Sequence, residues 1–292
     1  MPKPGAASST GSDKNSQQQR GMKMMKRIMG MAIVSICIAG HAYASAPGFV
    51  SDGKLAVCTS AGFPPLTFKQ NAGDARPVGI DIEIADALAR LWEAEVTYTT
   101  TDFTGLLPAL GSGRCGVILS GMYINDERRK TYDGVRYMKS ATVIVTKAGN
   151  DEITGPESLS GKTVALESGT YYRAERIDPL NKALTAAGKP EALVQDYPAQ
   201  AAAYQQVLVG RVDATLTEEA EGAYRVASTD EQFRVAYTWE SEFTYGIYMR
   251  RHADDVFSVR AALKRLHDEG FFAALAKKYG LDPAAFDVDY DS

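Results

Sequence analysis

The feature that most constrains this chain is the regular alternation, from Lys54 onward, of short β-branched runs with amphipathic helical stretches. Lys54–Thr59 (KLAVCT) is a compact strand run that ends at the turn residues 61–65, AGFPP. Residues 81–92 place Ile84, Leu88 and Leu91 on one helical face, with Gly79 just ahead of the start. Val96–Thr101 is β-branched and predicts the next strand, Leu106–Gly111 a short helix, and Cys115–Ser120 a further strand. Strands separated by helices cannot be joined as hairpins. The spacing therefore predicts an α/β fold with mostly parallel sheets and loops gathered at the strand carboxyl ends.

A second set follows the polar turn at residues 148–155. Lys162–Leu166 predicts a strand, Glu167–Thr170 a turn, Leu193–Tyr197 a strand, Ala199–Val209 a helix and Val212–Thr217 a strand. From Asp254 to Tyr279 the pattern is helical, with Val256, Val259, Leu263 and Leu266 on one face and Gly270 interrupting. The extended stretches Thr142–Lys147 and Phe243–Met249 join the two blocks. They predict two lobes with a paired hinge: lobe 1 from residues 45–145 and 244–292, lobe 2 from 146–243. One continuous domain is the other arrangement the pattern allows.

Residues 22–44 carry the marks of an export signal. Lys23, Lys26 and Arg27 precede an apolar stretch from Ile28 to Ala39, and Ala42-Tyr43-Ala44 predicts cleavage after Ala44 on export. The apolar core is short for a membrane span. Cys37 lacks the small residue that a lipid-anchored cysteine needs at position 36. Residues 1–21 are polar and rich in Ser and Gln.

Removing residues 1–44 takes six of the 32 basic and one of the 36 acidic residues, so the mature chain has 26 against 35, a net charge of −9. No basic tract remains beyond Arg128–Lys130, which argues against nucleic acid as a partner. Only Cys58 and Cys115 persist, either as a disulfide or as two buried thiols. His252 and His267 lack metal-ligand spacing, so neither zinc nor Ser-His catalysis is expected. The densest chemistry lies in residues 120–130, SGMYINDERRK. There a short strand delivers small residues and then a guanidinium onto a loop, the parts needed to hold a carboxylate.

Taken in order, TSAGFPPLTFK, VGIDIEIADALA, DFTGLLPAL, SGMYINDERRK, LSGKTVALESGTYY, GRVDATLTEEA and YGIYMRR resemble the bacterial periplasmic amino-acid-binding proteins, family 3 solute-binding proteins of ABC importers. The resemblance runs from about Lys54 to Phe286. It implies the two-lobe periplasmic-binding-protein fold (type II), with a small zwitterion held in the cleft and an inner-membrane ABC permease as partner. It also implies a monomer that needs no cofactor and no metal.

By position, Arg128 matches the arginine that takes the ligand carboxylate. Ser120, Gly121 and Tyr123 fall where backbone groups and a hydroxyl meet the same zwitterion. Thr170 and Tyr171 match the second-lobe turn, and Glu218 the acid that receives the α-ammonium. Phe63 and Phe103 match the aromatic walls. Ser60 stands where binders of basic amino acids carry an aspartate, which weakens the case for such ligands.

Two other readings share the fold. One is a periplasmic cyclohexadienyl (prephenate/arogenate) dehydratase, for which Glu221 is placed as general acid. The other is a ligand-sensing adaptor for a receptor.

Overall fold

A computed structural model of the chain describes residues 45–291; the expected export signal, its cleavage point and Cys37 lie outside the described residues. The strands are β1 (Lys54–Thr59), β2 (Gly62–Phe63) and β3 (Thr67–Phe68); after helix α1 (Ile80–Leu91) comes β4 (Glu95–Thr100). Helix α2 (Leu106–Gly111), β5 (Val117–Ile118), α3 (Asp126–Arg129) and the long β6 (Tyr132–Lys147) follow. The second block holds β7 (Thr163–Glu167), α4 (Asp178–Ala186), β8 (Leu193–Tyr197), α5 (Gln200–Leu208), β9 (Ala214–Glu218) and α6 (Glu219–Ser228). The chain then returns through β10 (Phe233–Arg250) to α7 (Ala253–Asp268) and α8 (Phe271–Tyr279).

Eight strands form one curled sheet in the order β4-β1-β5-β10-β6-β9-β7-β8. Strand β1 runs parallel to both β4 and β5, and β7 runs parallel to both β8 and β9. These two parallel sets are the sheets of the two lobes. The antiparallel pair β6 and β10 stitches them together: Tyr248 and Met249 of β10 pair with β5, whereas Thr142–Thr146 of β6 pair with β9. The expected extended stretches are thus the carboxyl-terminal parts of two strands of 16 and 18 residues that traverse both lobes. Their ladder shifts register between Thr238 and Glu242, a local irregularity of the ribbon.

Strand β5 is shorter than the expected Cys115–Ser120. Its ladder still extends on both sides, with the Gly116 N–H donating to Ala56 O (2.8 Å) and the Leu119 N–H to Cys58 O (3.2 Å). Gly121, at φ +55°, then turns the chain out of the sheet. Cys58 and Cys115 are joined in a disulfide with a Cα–Cα distance of 5.7 Å, which ties β1 to the entry of β5.

Helices cover both sheets because each presents one apolar stripe. Ile84 and Leu88 of α1 meet Val259 and Leu263 of α7 in the largest core cluster. Leu106 and Leu110 of α2 pack on the other face with Ile118, Met122 and Tyr248, around the disulfide. In the second lobe Ala203 and Val207 of α5 cover Val143, Val145 and Ala165. Truncating a fully buried leucine such as Leu88 would cost about 2–5 kcal/mol.

Candidate functional site

The carboxyl ends of the strands of both lobes face one cleft, as parallel α/β sheets dictate. The lobe 1 wall is built on the loop after β5. Ser120 Oγ accepts from the Ser60 backbone N–H (2.9 Å) and donates to Ser60 Oγ (3.0 Å). Ser60 therefore stands behind Ser120, and it is not among the residues that line the cavity. The Gly121 N–H donates to Asp81 Oδ2 at 2.7 Å, so that donor is already engaged and is not aimed into the cleft. Asp81, in the first turn of α1, also accepts from the Tyr137 hydroxyl at 2.7 Å. Its carboxyl is pushed up to about 6, mainly by burial, against the pull of its two donors.

Arg128 sits in α3, a one-turn helix capped by Asn125, whose Oδ1 accepts from the Arg128 N–H at 2.9 Å. Its guanidinium donates to Tyr123 O (2.6 Å) and, across the cleft, to Gly169 O (3.1 Å). It also lies over the Phe103 ring, 5.6 Å from the centroid. Arg128 thus bridges the lobes. Close approach at this bridge needs Gly169, since a Cβ there would sit 2.8 Å from Thr104.

The lobe 2 wall follows β7. Thr170 Oγ1 donates to Glu167 O at 2.7 Å and closes the turn. The Tyr171 hydroxyl pairs with Thr142 Oγ1 (3.0 Å), which also accepts from Arg176 Nε (2.9 Å). The Tyr171 ring packs 4.5 Å from Tyr123, 4.7 Å from Tyr172 and 5.1 Å from Phe243, so an aromatic knot spans the two lobes.

Glu218 ends β9 and is 4% exposed, with Oε2 lacking a hydrogen-bond partner among the described residues. Burial pushes its carboxyl up to about 8; the Tyr172 hydroxyl opposes this, while the charges of Glu221 and Glu167 add to it. Glu167, the last residue of β7, is likewise pushed up to about 8, chiefly by burial and then by Glu221.

Phe63, Phe103, Ser120, Gly121, Tyr123, Arg128, Thr170, Tyr171 and Glu218 all line a single cavity. Glu167 and Tyr172 line it too, and sequence reasoning had not assigned either to the site. The rule that ligands meet the carboxyl ends of parallel strands was the available signal for Glu167. The cavity volume is about 10 Å³, room for one water molecule. A ligand of amino-acid size therefore requires the lobes to part or the tyrosines to swing away.

Glu221 lies outside this cavity. It is fully buried, its Oε1 meets Arg225 Nε at 3.0 Å, and its Oε2 accepts from Thr217 Oγ1 at 2.5 Å. The side chain is thus part of a core ion pair at the start of α6. Burial raises its carboxyl, and Arg225 draws it back down.

Residues 55–282 match the family described as bacterial extracellular solute-binding proteins, family 3. The chain belongs to that family. Among its relatives, the L-cystine-binding protein TcyJ of Escherichia coli (strain K12) is 28% identical over 233 residues, spanning 78% of this chain and 82% of that one. An ancestral arginine-binding protein solved with arginine superposes with a TM-score of 0.69 at 32% identity, covering 78% of this chain and 98% of its own. The ancestral amino acid-binding protein AncCDT-1, a precursor of cyclohexadienyl dehydratase, gives a TM-score of 0.65 at 28% identity over 78% of this chain and 95% of that one. These relatives are amino-acid-binding proteins by name.

Proposed function

We propose that this protein captures an amino acid or a similar small zwitterion in the cleft by hinge closure. It then presents that ligand in the periplasm, as a monomer, to an inner-membrane ABC permease, with no chemical change to the ligand. One observation carries the reading. A guanidinium that meets carbonyl oxygens and no carboxylate among the described residues shares a small cavity with a buried carboxylate oxygen that has no partner. A zwitterion supplies both missing charges at once, and only a doubly paired zwitterion leaves water without a penalty of several kcal/mol.

In this reading Arg128 takes the α-carboxylate as a bidentate pair and exchanges its bond to Gly169 for the ligand. Ser120, Tyr123 and the Thr170 turn contribute donors, and Glu218 receives the ammonium. Phe63 and Phe103 flank the side chain, while Ser60 and Gly121 hold the wall in shape through Ser120 and Asp81. Tyr171 anchors the hinge side through Thr142. Lobe 1 (45–145 and 244–292) and lobe 2 (146–243) close about β6 and β10, and ligand contacts from both lobes favour the closed state.

The test is a thermal-shift panel on the chain from Ser45, unfolded and refolded to strip carried ligand, with amino acids, simple carboxylates and prephenate. A ligand at 100 times its Kd adds about 2.7 kcal/mol of stability, a shift of several degrees. Stabilisation by a narrow set of amino acids, lost in Arg128→Ala while the melt stays cooperative, supports the reading. Stabilisation by prephenate alone would replace it with the dehydratase.

A further inference from the structure

Two tyrosines from opposite lobes face each other in the space a ligand must enter, and they are held very differently. Tyr123 of lobe 1 and Tyr171 of lobe 2 stand with ring centroids 4.5 Å apart, and both line the cavity. Tyr171 is 5% exposed. Its hydroxyl pairs with Thr142 Oγ1 of β6 at 3.0 Å, and the same oxygen accepts from Arg176 Nε at 2.9 Å. The Arg176 guanidinium also lies 5.9 Å from the Tyr171 ring centroid and 5.6 Å from that of Trp239. Trp239 stands on β10 where its ladder with β6 shifts register. Tyr171 is therefore tied to both strands that cross between the lobes.

Tyr123 is half-buried, and its backbone is pinned more firmly than its side chain. Its carbonyl accepts from Arg128 Nη1 (2.6 Å) and from the Tyr248 hydroxyl (2.8 Å), and the Ile124 N–H donates to Thr244 O (2.9 Å). The ring can thus leave the cavity by rotating about its own side-chain bonds while the loop stays in place. What opposes that rotation comes from the other lobe, where Glu175 hydrogen-bonds the Tyr123 hydroxyl. Burial and then Glu175 raise the pKa of that hydroxyl, so it stays protonated and donates. Glu175 itself is not among the residues that line the cavity. It belongs to a single π turn, Arg173–Ile177, and its N–H donates to Tyr171 O at 2.9 Å. The group that holds Tyr123 and the group that fixes Tyr171 are thus neighbours on one turn.

We propose that Tyr123 is the gate of the cleft: Glu175 latches it shut from the opposite lobe, and Tyr171, positioned by Arg176, is the stop it closes on. This rests on the amino-acid reading above and deepens it by naming the step that admits the ligand. Only chains with Tyr123 swung out can bind, so the latch lowers the apparent affinity by that fraction. Capture exchanges the Glu175 bond for the ligand, as Arg128 exchanges its bond to Gly169.

The experiment labels the refolded chain with 3-fluorotyrosine and follows both rings by fluorine NMR, the signals assigned by their loss in Tyr123→Phe and Tyr171→Phe. With no amino acid added, Glu175→Ala should raise the solvent-exposed population of Tyr123 about tenfold. Glu175→Gln keeps an acceptor and should largely restore the shut signal, whereas Arg176→Met should displace Tyr171 instead. Stopped-flow tryptophan fluorescence with arginine, glutamine and cystine gives the second readout. For each of these that binds, Glu175→Ala should speed association and lower Kd about tenfold; a residue that merely held the fold together would weaken binding when removed. Tyr123→Phe removes the same bond from lobe 1, should speed association alike, and decides the matter if Glu175→Ala does not fold. A Tyr123 signal or an association rate that stays at the wild-type value overturns the gate, and an unmoved Tyr171 signal in Arg176→Met overturns the stop. If none of the three amino acids binds and the Arg128-dependent thermal shift is also absent, the amino-acid reading falls, and the fluorine signals alone decide the gate.

Discussion

Asp81 Oδ2 accepts the Gly121 backbone N–H at 2.7 Å, across forty residues of sequence, and so fixes the loop after β5 to the N-terminus of α1. The same carboxyl takes the Tyr137 hydroxyl, and all three groups are shielded from water. Removing the carboxyl strands two buried donors at about 1–3 kcal/mol each. Asp81→Ala is expected to lower stability by about 3 kcal/mol and to weaken ligand binding, read by urea denaturation and titration. A loss under about 1 kcal/mol would show that the loop holds itself.

Gly121 is confined by both its backbone and its neighbours. At φ +55°, an added Cβ would lie 3.0 Å from the Phe63 ring and from Leu66 Cδ2. Gly121→Ala should therefore cost about 1–3 kcal/mol and displace the Phe63 wall, with Tm and affinity falling together. An unchanged Kd would separate Phe63 from the ligand.

Glu218 couples ligand binding to pH. Its folded-state pKa of about 8 exceeds the ordinary 4.5, so the folded state binds more protons than the unfolded chain between those values. Stability without ligand should consequently fall as pH rises from about 5 to 8, by about 3–4 kcal/mol from this group, and Glu218→Gln should flatten that slope. Asp81, raised to about 6, contributes the same sign between about 4 and 6. An ammonium ligand restores the ionised carboxylate, so binding at pH 7 should release protons and strengthen with rising pH up to about 8. Titrations in buffers of different ionisation enthalpy would detect this; proton uptake on binding would rule out the ammonium role.

The disulfide between Cys58 and Cys115, 57 residues apart, closes a long loop beneath the cleft. Replacing both cysteines by alanine should cost about 2–4 kcal/mol by freeing the unfolded chain. Affinity should change little, because both side chains pack under α2 and away from the cavity. Matching denaturation curves for the double variant and wild type would contradict the stabilising role.

Local periodicity was enough to predict β1, α1, α2, β8 and α5 nearly residue for residue. Each is a single amphipathic or β-branched run whose pattern answers to one buried face. The ordered motifs likewise brought nine of the ten expected site residues to one cavity, since strand carboxyl ends in a parallel sheet must converge. Other features belong to contacts between distant segments. The Gly121 donor was spent on Asp81, Ser60 withdrew behind Ser120, and Glu221 turned inward to Arg225. Pairing of Cys58 with Cys115 depended on β1 and β5 lying side by side. Composition, the succession of strands and helices along the chain and the residue types available to the cleft were thus determined by the sequence alone. Which donors remain free, and which acids stay unpaired at the cavity wall, was decided only by tertiary structure, because desolvation and pairing depend on neighbours that no local pattern encodes.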